Sequence, residues 1–144
     1  MSPGNGYNPM QWDCRRQGCF NLKKRPKIEM FADCLPGKIA FTDVDGLVEI
    51  KGNLLLLEWK DHQALHAGQR ILFERMTLLC PTTVLIVEGD AEQMTVSSIR
   101  TAWEGRIGPP VQADLDSLRR DIREWADWAF GNPVVRRRQE ALCR

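Results

Sequence analysis

The stretch TDVDGLVEIKGNLLLLEWK, residues 42–60, decides how the rest of the chain is read. Its Val, Leu and Ile residues break at Lys51-Gly52-Asn53, the composition of two strands joined by a tight turn with glycine where a positive φ is needed. Yet Asp43, Asp45, Glu58 and Lys60 sit inside that apolar pattern. Taking Gly52-Asn53 as the two-residue turn sets Lys51 against Leu54, Ile50 against Leu55, Val48 against Leu57, Leu47 against Glu58 and Asp45 against Lys60. Strand side chains alternate at period two, so Asp43, Asp45, Glu58 and Lys60 all leave one face. Val44, Val48, Ile50, Leu55, Leu57 and Trp59 cover the other.

In that register Asp45 lies beside Lys60 and diagonal to Glu58, with Cβ atoms about 5 Å apart for the opposed pair and about 7 to 8 Å for the diagonal one. Two readings follow. Two carboxylates at that separation can share a divalent cation. Alternatively, Asp45 and Lys60 form a cross-strand ion pair on a solvated face, which contributes little. Leu54 and Leu56 share the charged face, so the hairpin is covered on both sides near its turn and open only at its charged end.

Outward from the hairpin, RPKIEMFADCLPG (residues 25–37) predicts a short helix. Pro26 suits its first turn, Ile28, Phe31, Ala32 and Leu35 form its apolar stripe, and Pro36-Gly37 stops it. Downstream, GQRILFERMTLLC (residues 68–80) has Ile71, Leu72, Arg75-Met76 and Leu79 in helical rhythm and ends at Pro81. TTVLIVEGD is a continuous β-branched run, the pattern of a strand buried on both faces and, reached through a helix, parallel to its neighbour. Residues 91–113 read as a strand or short helix followed by a loop. DLDSLRRDIREWADWAFGN (residues 114–132) predicts a helix capped by Asp114, with Leu115, Leu118, Ile122, Trp125, Ala126 and Ala129 on one face and a stop at Gly131. The expected fold is therefore α/β, a small mixed sheet flanked by helices with a further helix at the C-terminal end.

The chain has 144 residues, 43% of them apolar, enough for one cored domain. The expected organisation is an irregular basic segment over residues 1–24, an α/β domain over 25–130 and a basic tail over 131–144. Residues 1–38 carry seven Lys/Arg against three acids and residues 131–144 four against one, whereas the segment between is acidic. Basic margins around an acidic centre suit a chain that grips a polyanion while coordinating a cation; they are equally the pattern of two solvated tails. No apolar run approaches the about 20 residues of a membrane span, so a soluble cytoplasmic protein with no membrane partner is expected.

Five cysteines, an odd number, suggest reduced thiols or metal ligands over a disulfide framework. Cys14, Cys19 and Cys34 offer three thiolates to a structural Zn²⁺, with His62 or His66 as a fourth ligand, but lack the tight spacing of zinc motifs, and buried free thiols are the simpler reading. His62 and His66 read as loop histidines. The basic runs RRQGCFNLKKRPK and VVRRRQEALCR are candidate phosphate contacts or solubilising tails. Trp103, Trp125 and Trp128 are expected in the core.

An Asp, a turn, then Glu-x-Lys on the next strand, here Asp45 and Glu58-Trp59-Lys60, resembles the signature of the PD-(D/E)xK nuclease superfamily, including its Holliday-junction resolvases and VRR-type nucleases. A preceding helix with Glu29 and a following helix opening with Gln69 match two further features of its members. The likeness spans residues 27 to about 88; Val44 stands where the family name has proline. The resemblance implies a restriction-endonuclease-like αβββαβ core and Mg²⁺- or Mn²⁺-dependent hydrolysis of DNA phosphodiester bonds, in which selectivity for branched or otherwise structured DNA is more expected than long sequence specificity. It further implies that Asp45, Glu58 and the Trp59 carbonyl ligate the metal, with Glu29 as an added ligand. Lys60 would orient or deprotonate the attacking water or stabilise developing charge, and Gln69 would hydrogen-bond the nucleophile or a phosphate. A homodimer would be needed to cut both strands in one encounter. The other expectation is a catalytically idle module of the same fold that binds nucleic acid or a protein.

Overall fold

In the computed structural model, which describes residues 26–61 and 64–134, the hairpin is formed by β1 (Gly46–Ile50) and β2 (Asn53–Lys60). Its turn is Lys51-Gly52, not Gly52-Asn53: Ile50 pairs with Asn53 and Gly46 with Leu57. Both turn residues have positive φ, 54° and 88°, the requirement of a type I′ turn. Asn53 explains the difference. It is buried, and its Nδ2 donates to the carbonyls of Asn132 at 2.9 Å and Ala129 at 3.5 Å, so it anchors the hairpin instead of turning it. The register moves by two residues, so every side chain in the ladder keeps the face the alternation predicts while its cross-strand partner changes. Carried one step past β1, the ladder places Asp45 against Glu58 instead of Lys60.

β2 leads through α1 (Ala67–Leu79) to β3 (Thr82–Asp90), which lies parallel to β2 from Leu54↔Thr82 to Lys60↔Glu88. Thr82 to Val87 are all buried, as a continuous apolar run covered on both faces requires. α1 buries Phe73 and Thr77, with Leu72 and Met76 beside them, while Ile71 and Leu79 of the expected stripe are exposed. Thr77 tolerates burial because its hydroxyl donates to the Phe73 carbonyl at 2.8 Å and accepts from the Gly105 amide at 2.9 Å.

Residues 91–113 hold three strands: β4 (Thr95–Trp103), antiparallel to β3, and the short β5 (Arg106–Ile107) and β6 (Val111–Gln112), both paired to β4. The result is a six-stranded sheet in the order β1-β2-β3-β4-β5, with β6 also against β4, antiparallel except at β2–β3. Between Glu88 and Gly89 the pairing slips, because β4 carries Ser97 as an extra residue. At Gly89 the Thr95 carbonyl occupies the place of a β-carbon, so only glycine lets the two backbones pass.

α2 (Leu115–Gly131) starts at Asp114, whose Oδ1 accepts the Ser117 amide at 2.7 Å while the Ser117 hydroxyl accepts the Asp114 amide at 3.4 Å. That amide hydrogen bond holds the Asp114 carboxyl below its ordinary 3.8. Leu118, Trp125 and Ala129 pack with Leu55, Leu85, Val87 and Ile99, flanked by Leu115, Ile122 and Ala126, the face that helical spacing predicts. The opposite face of the sheet packs Leu56, Val84, Ile86 and Ala102 on Phe73 of α1. The architecture is a mixed α/β sandwich.

Trp103 and Trp128 depart from the expected core: they are 40% and 41% exposed and meet edge to face at 5.6 Å, and of the three only Trp125 is buried. Trp128 falls off the centre of α2's apolar stripe, and Trp103 ends β4 at a tight turn whose Glu104 and Gly105 have φ 50° and 82°.

The described residues fall into two compact units divided between Thr42 and Asp43. In the first, Ile28–Cys34 is a 3-10 helix with no buried residue. Its Ile28, Phe31, Ala32 and Leu35 gather with Ala40 and Phe41 around a groove of about 230 Å³. Residues 42–44, read from sequence as part of the first strand, join no ladder, so two strands separate this helix from α1 where an αβββαβ core has three. No helix among the described residues is long and apolar enough to cross a membrane.

Candidate active site

Along β2, Glu58 and Lys60 follow Leu56 onto the face packed by α1, while Trp59 follows Leu55 and Leu57 onto the face packed by α2. α1 begins at the end of β2 where these charges lie, which brings Gln69 over them. Lys60 Nζ donates to Gln69 Oε1 at 2.6 Å, and Gln69 Nε2 donates to Glu58 Oε1 at 2.8 Å. Lys60 Nζ and Glu58 Oε1 are 3.1 Å apart, which closes a triangle. A neutral amide can accept from the ammonium and donate to the carboxylate at once, which suits glutamine to position 69. The pair is largely withdrawn from water, with the Glu58 side chain 9% and that of Lys60 16% exposed. The lysine's ion-pair partner is therefore Glu58, not the Asp45 of the cross-strand alternative.

Asp45 reaches the same strand by another route. β1 starts one residue later, and the Asp45 Oδ2 accepts the Trp59 amide at 2.6 Å, standing in for the missing ladder bond. A strand residue's N–H and C=O leave on the same side, so the Trp59 carbonyl is directed to this edge as well. The Trp59 indole N–H donates to the Gly89 carbonyl at 2.9 Å, which ties the end of β2 to β3 where β3 faces the bulge of β4. Each carboxylate thus commits one oxygen, and Asp45 Oδ1 and Glu58 Oε2 take no hydrogen bond among the described residues.

Two carboxylate oxygens and a carbonyl are hard donors. They fit Mg²⁺ or Mn²⁺, which take one or two carboxylates and complete their shell with water and substrate phosphate. Among the described residues no group of three or more His, Cys, Asp or Glu could hold a metal ion, so the donors form an open set and not a cage. Glu29 is exposed in the first unit, where it lines the apolar groove. Cys34 is a free, exposed cysteine, against the expectation of a buried thiol. Cys14, Cys19, His62 and the basic residues of 15–25 and 136–144 lie outside the described residues, and His66 is exposed at the start of α1.

Three residues that the sequence did not single out share the α1 face. Pairing sets Lys60 beside Glu88 and Glu88 beside Ser98, and sets Glu58 beside Ile86 and Ile86 beside Arg100. The Ser98 hydroxyl donates to Glu88 Oε2 at 3.4 Å. Nothing in the spacing of VEGD or SSIR points to this; it takes the parallel β2–β3 register and the extra residue in β4 to align them.

No protein-family model, curated protein or solved structure matches the chain.

Proposed function

We propose that the chain is a metal-dependent nuclease of PD-(D/E)xK type that hydrolyses DNA phosphodiester bonds. One observation carries the reading: Glu58, Lys60 and Gln69 close a triangle at the end of the parallel strands, on the strand whose next amide holds the Asp45 carboxylate. A surface ion pair needs no glutamine clamp, and a core strand has no use for an aspartate on its backbone. Asp45, Glu58 and the Trp59 carbonyl would hold Mg²⁺ or Mn²⁺. When bound, such an ion acidifies a coordinated water and offsets charge on the phosphate.

The protein's own groups do the rest. An ammonium has three N–H donors, and Glu58 and Gln69 hold two of those of Lys60. The third is left to donate to a phosphate oxygen as charge develops there, with little reorganisation because the other two fix the head group. Gln69 keeps the lysine and glutamate in that geometry. Trp59, through Gly89, keeps the strand end from fraying.

The test is cleavage of linear, nicked and branched DNA in Mg²⁺ and Mn²⁺ by the parent protein, Asp45→Ala and Lys60→Ala. Each substitution is expected to slow cleavage by about 10²–10³ or more, as loss of one preorganised charge-stabilising group does. Variants that cut as fast as the parent would place the activity elsewhere. A second reading draws on the triangle being satisfied within itself: an idle nuclease-fold module that binds nucleic acid or a protein. It predicts DNA that is bound, never cut, and bound equally by Asp45→Ala.

A further inference from the structure

Arg100 is half-buried on β4 and belongs to the α1 face, since Ala102, two residues on, packs in the Phe73 cluster while Ile99 packs under α2. Among the described residues its side chain forms no ion pair and no hydrogen bond, although a half-buried guanidinium carries five donors. Its row across the sheet is Glu58, Ile86, Arg100, so apolar Ile86 separates the arginine from the catalytic glutamate. Two strand spacings, about 10 Å, lie between the β2 and β4 backbones, and the long arginine side chain closes part of that gap.

We propose that Arg100 binds the phosphate next to the one cleaved. The inference rests on the nuclease reading and names how that site takes hold of DNA. Three features argue for a phosphate partner. The guanidinium is always charged and its fork fits a phosphate oxygen pair. No protein carboxylate among the described residues neutralises it. The stem can lie along Ile86 and Ala102 while the head stays in water. Glu88, one strand nearer the site, is the group that opposes an anion here; its carboxylate is turned to Ser98 on one side and lies beside Lys60 on the other. The phosphate is therefore placed at Arg100 and not between the two.

The experiment compares the parent, Arg100→Gln, Arg100→Lys and, as a net-charge control on the exposed face of α2, Arg123→Gln. Steady-state cleavage of a DNA oligonucleotide in Mg²⁺ is measured across a salt series, with intact backbones and with single neutral methylphosphonates beside the cleaved bond. Arg100→Gln should raise KM about tenfold with kcat within about twofold, and lower the salt slope by about one phosphate contact. Arg100→Lys should recover part of the loss, and Arg123→Gln should match the parent. The methylphosphonate at the adjacent position should raise the parent's KM to that of Arg100→Gln and leave the variant's unchanged. If Arg100→Gln keeps the parent's KM and salt slope, or responds to that methylphosphonate as the parent does, the Arg100 assignment falls while hydrolysis at Glu58 and Lys60 stands. If the parent neither binds nor cuts any DNA tested, both fall together.

Discussion

Replacing Lys60 by Met removes the ammonium from the triangle and keeps most of the side chain's packing. Glu58 then remains, 9% exposed, with the Gln69 amide as its single polar partner. Breaking a fully buried ion pair by deleting one member costs about 3–5 kcal/mol. Here Glu58 keeps one hydrogen bond and the space vacated by the ammonium opens to water, since Lys60 is 16% exposed, which halves the cost to about 2 kcal/mol. For a domain of this size that corresponds to a fall in Tm of about 6–10 °C. The partner variant, Glu58→Gln with Lys60→Met, removes both charges and leaves amide against amide, so its stability should return to within about 0.5 kcal/mol of the parent. Urea denaturation of the parent, both single variants and the double variant gives the coupling directly, provided m is common to all four. The same four proteins assayed for DNA cleavage should show the double variant folded and inactive. A Lys60→Met protein that unfolds at the parent's urea midpoint would refute the reasoning, because it would mean that Glu58 is not buried against the lysine at all.

Other outcomes are open to simpler measurements. Gly89→Ala sets a methyl group on the Thr95 carbonyl, and with backbone on both sides neither can rotate away; thermal unfolding should show a loss of about 3 kcal/mol. Asn53→Ala removes the donor that ties the hairpin to the Ala129 and Asn132 carbonyls, and should cost about 1–3 kcal/mol in urea, because those bonds lie at a buried residue. Asp114 has a depressed folded value, caused first by the Ser117 amide, so its stabilisation is present above its ordinary 3.8 and is lost as pH falls through the lowered value. Asp114→Asn, which caps without a charge, should flatten the acid limb of the stability curve relative to the parent, as read by circular dichroism from pH about 5 downward.

Local periodicity was enough for much of this fold. The break at Lys51-Gly52-Asn53 marked the hairpin, the unbroken Thr82 to Val87 run marked a strand covered on both faces, and the six apolar positions of α2 with the Asp114 cap marked its helix to within a residue. Which face each charge takes was also legible, since a strand repeats every two residues and a register error of two leaves faces unchanged. Who neighbours whom was not. Asn53 is drawn into the C-terminal end of α2, a contact 79 residues away, and that contact moves the turn and sets the ladder against Asp45. The Gln69 clamp depends on where α1 lands after a crossover, and the alignment of Glu88, Ser98 and Arg100 depends on one extra residue in β4. Sequence by itself determined the hairpin, α1, β3 and α2 and the faces of their strands because those follow from steric periods of a few residues, whereas the three strands in residues 91–113 did not show in it. The partners within the site were decided by tertiary structure, because docking between distant segments sets distances that no local period contains.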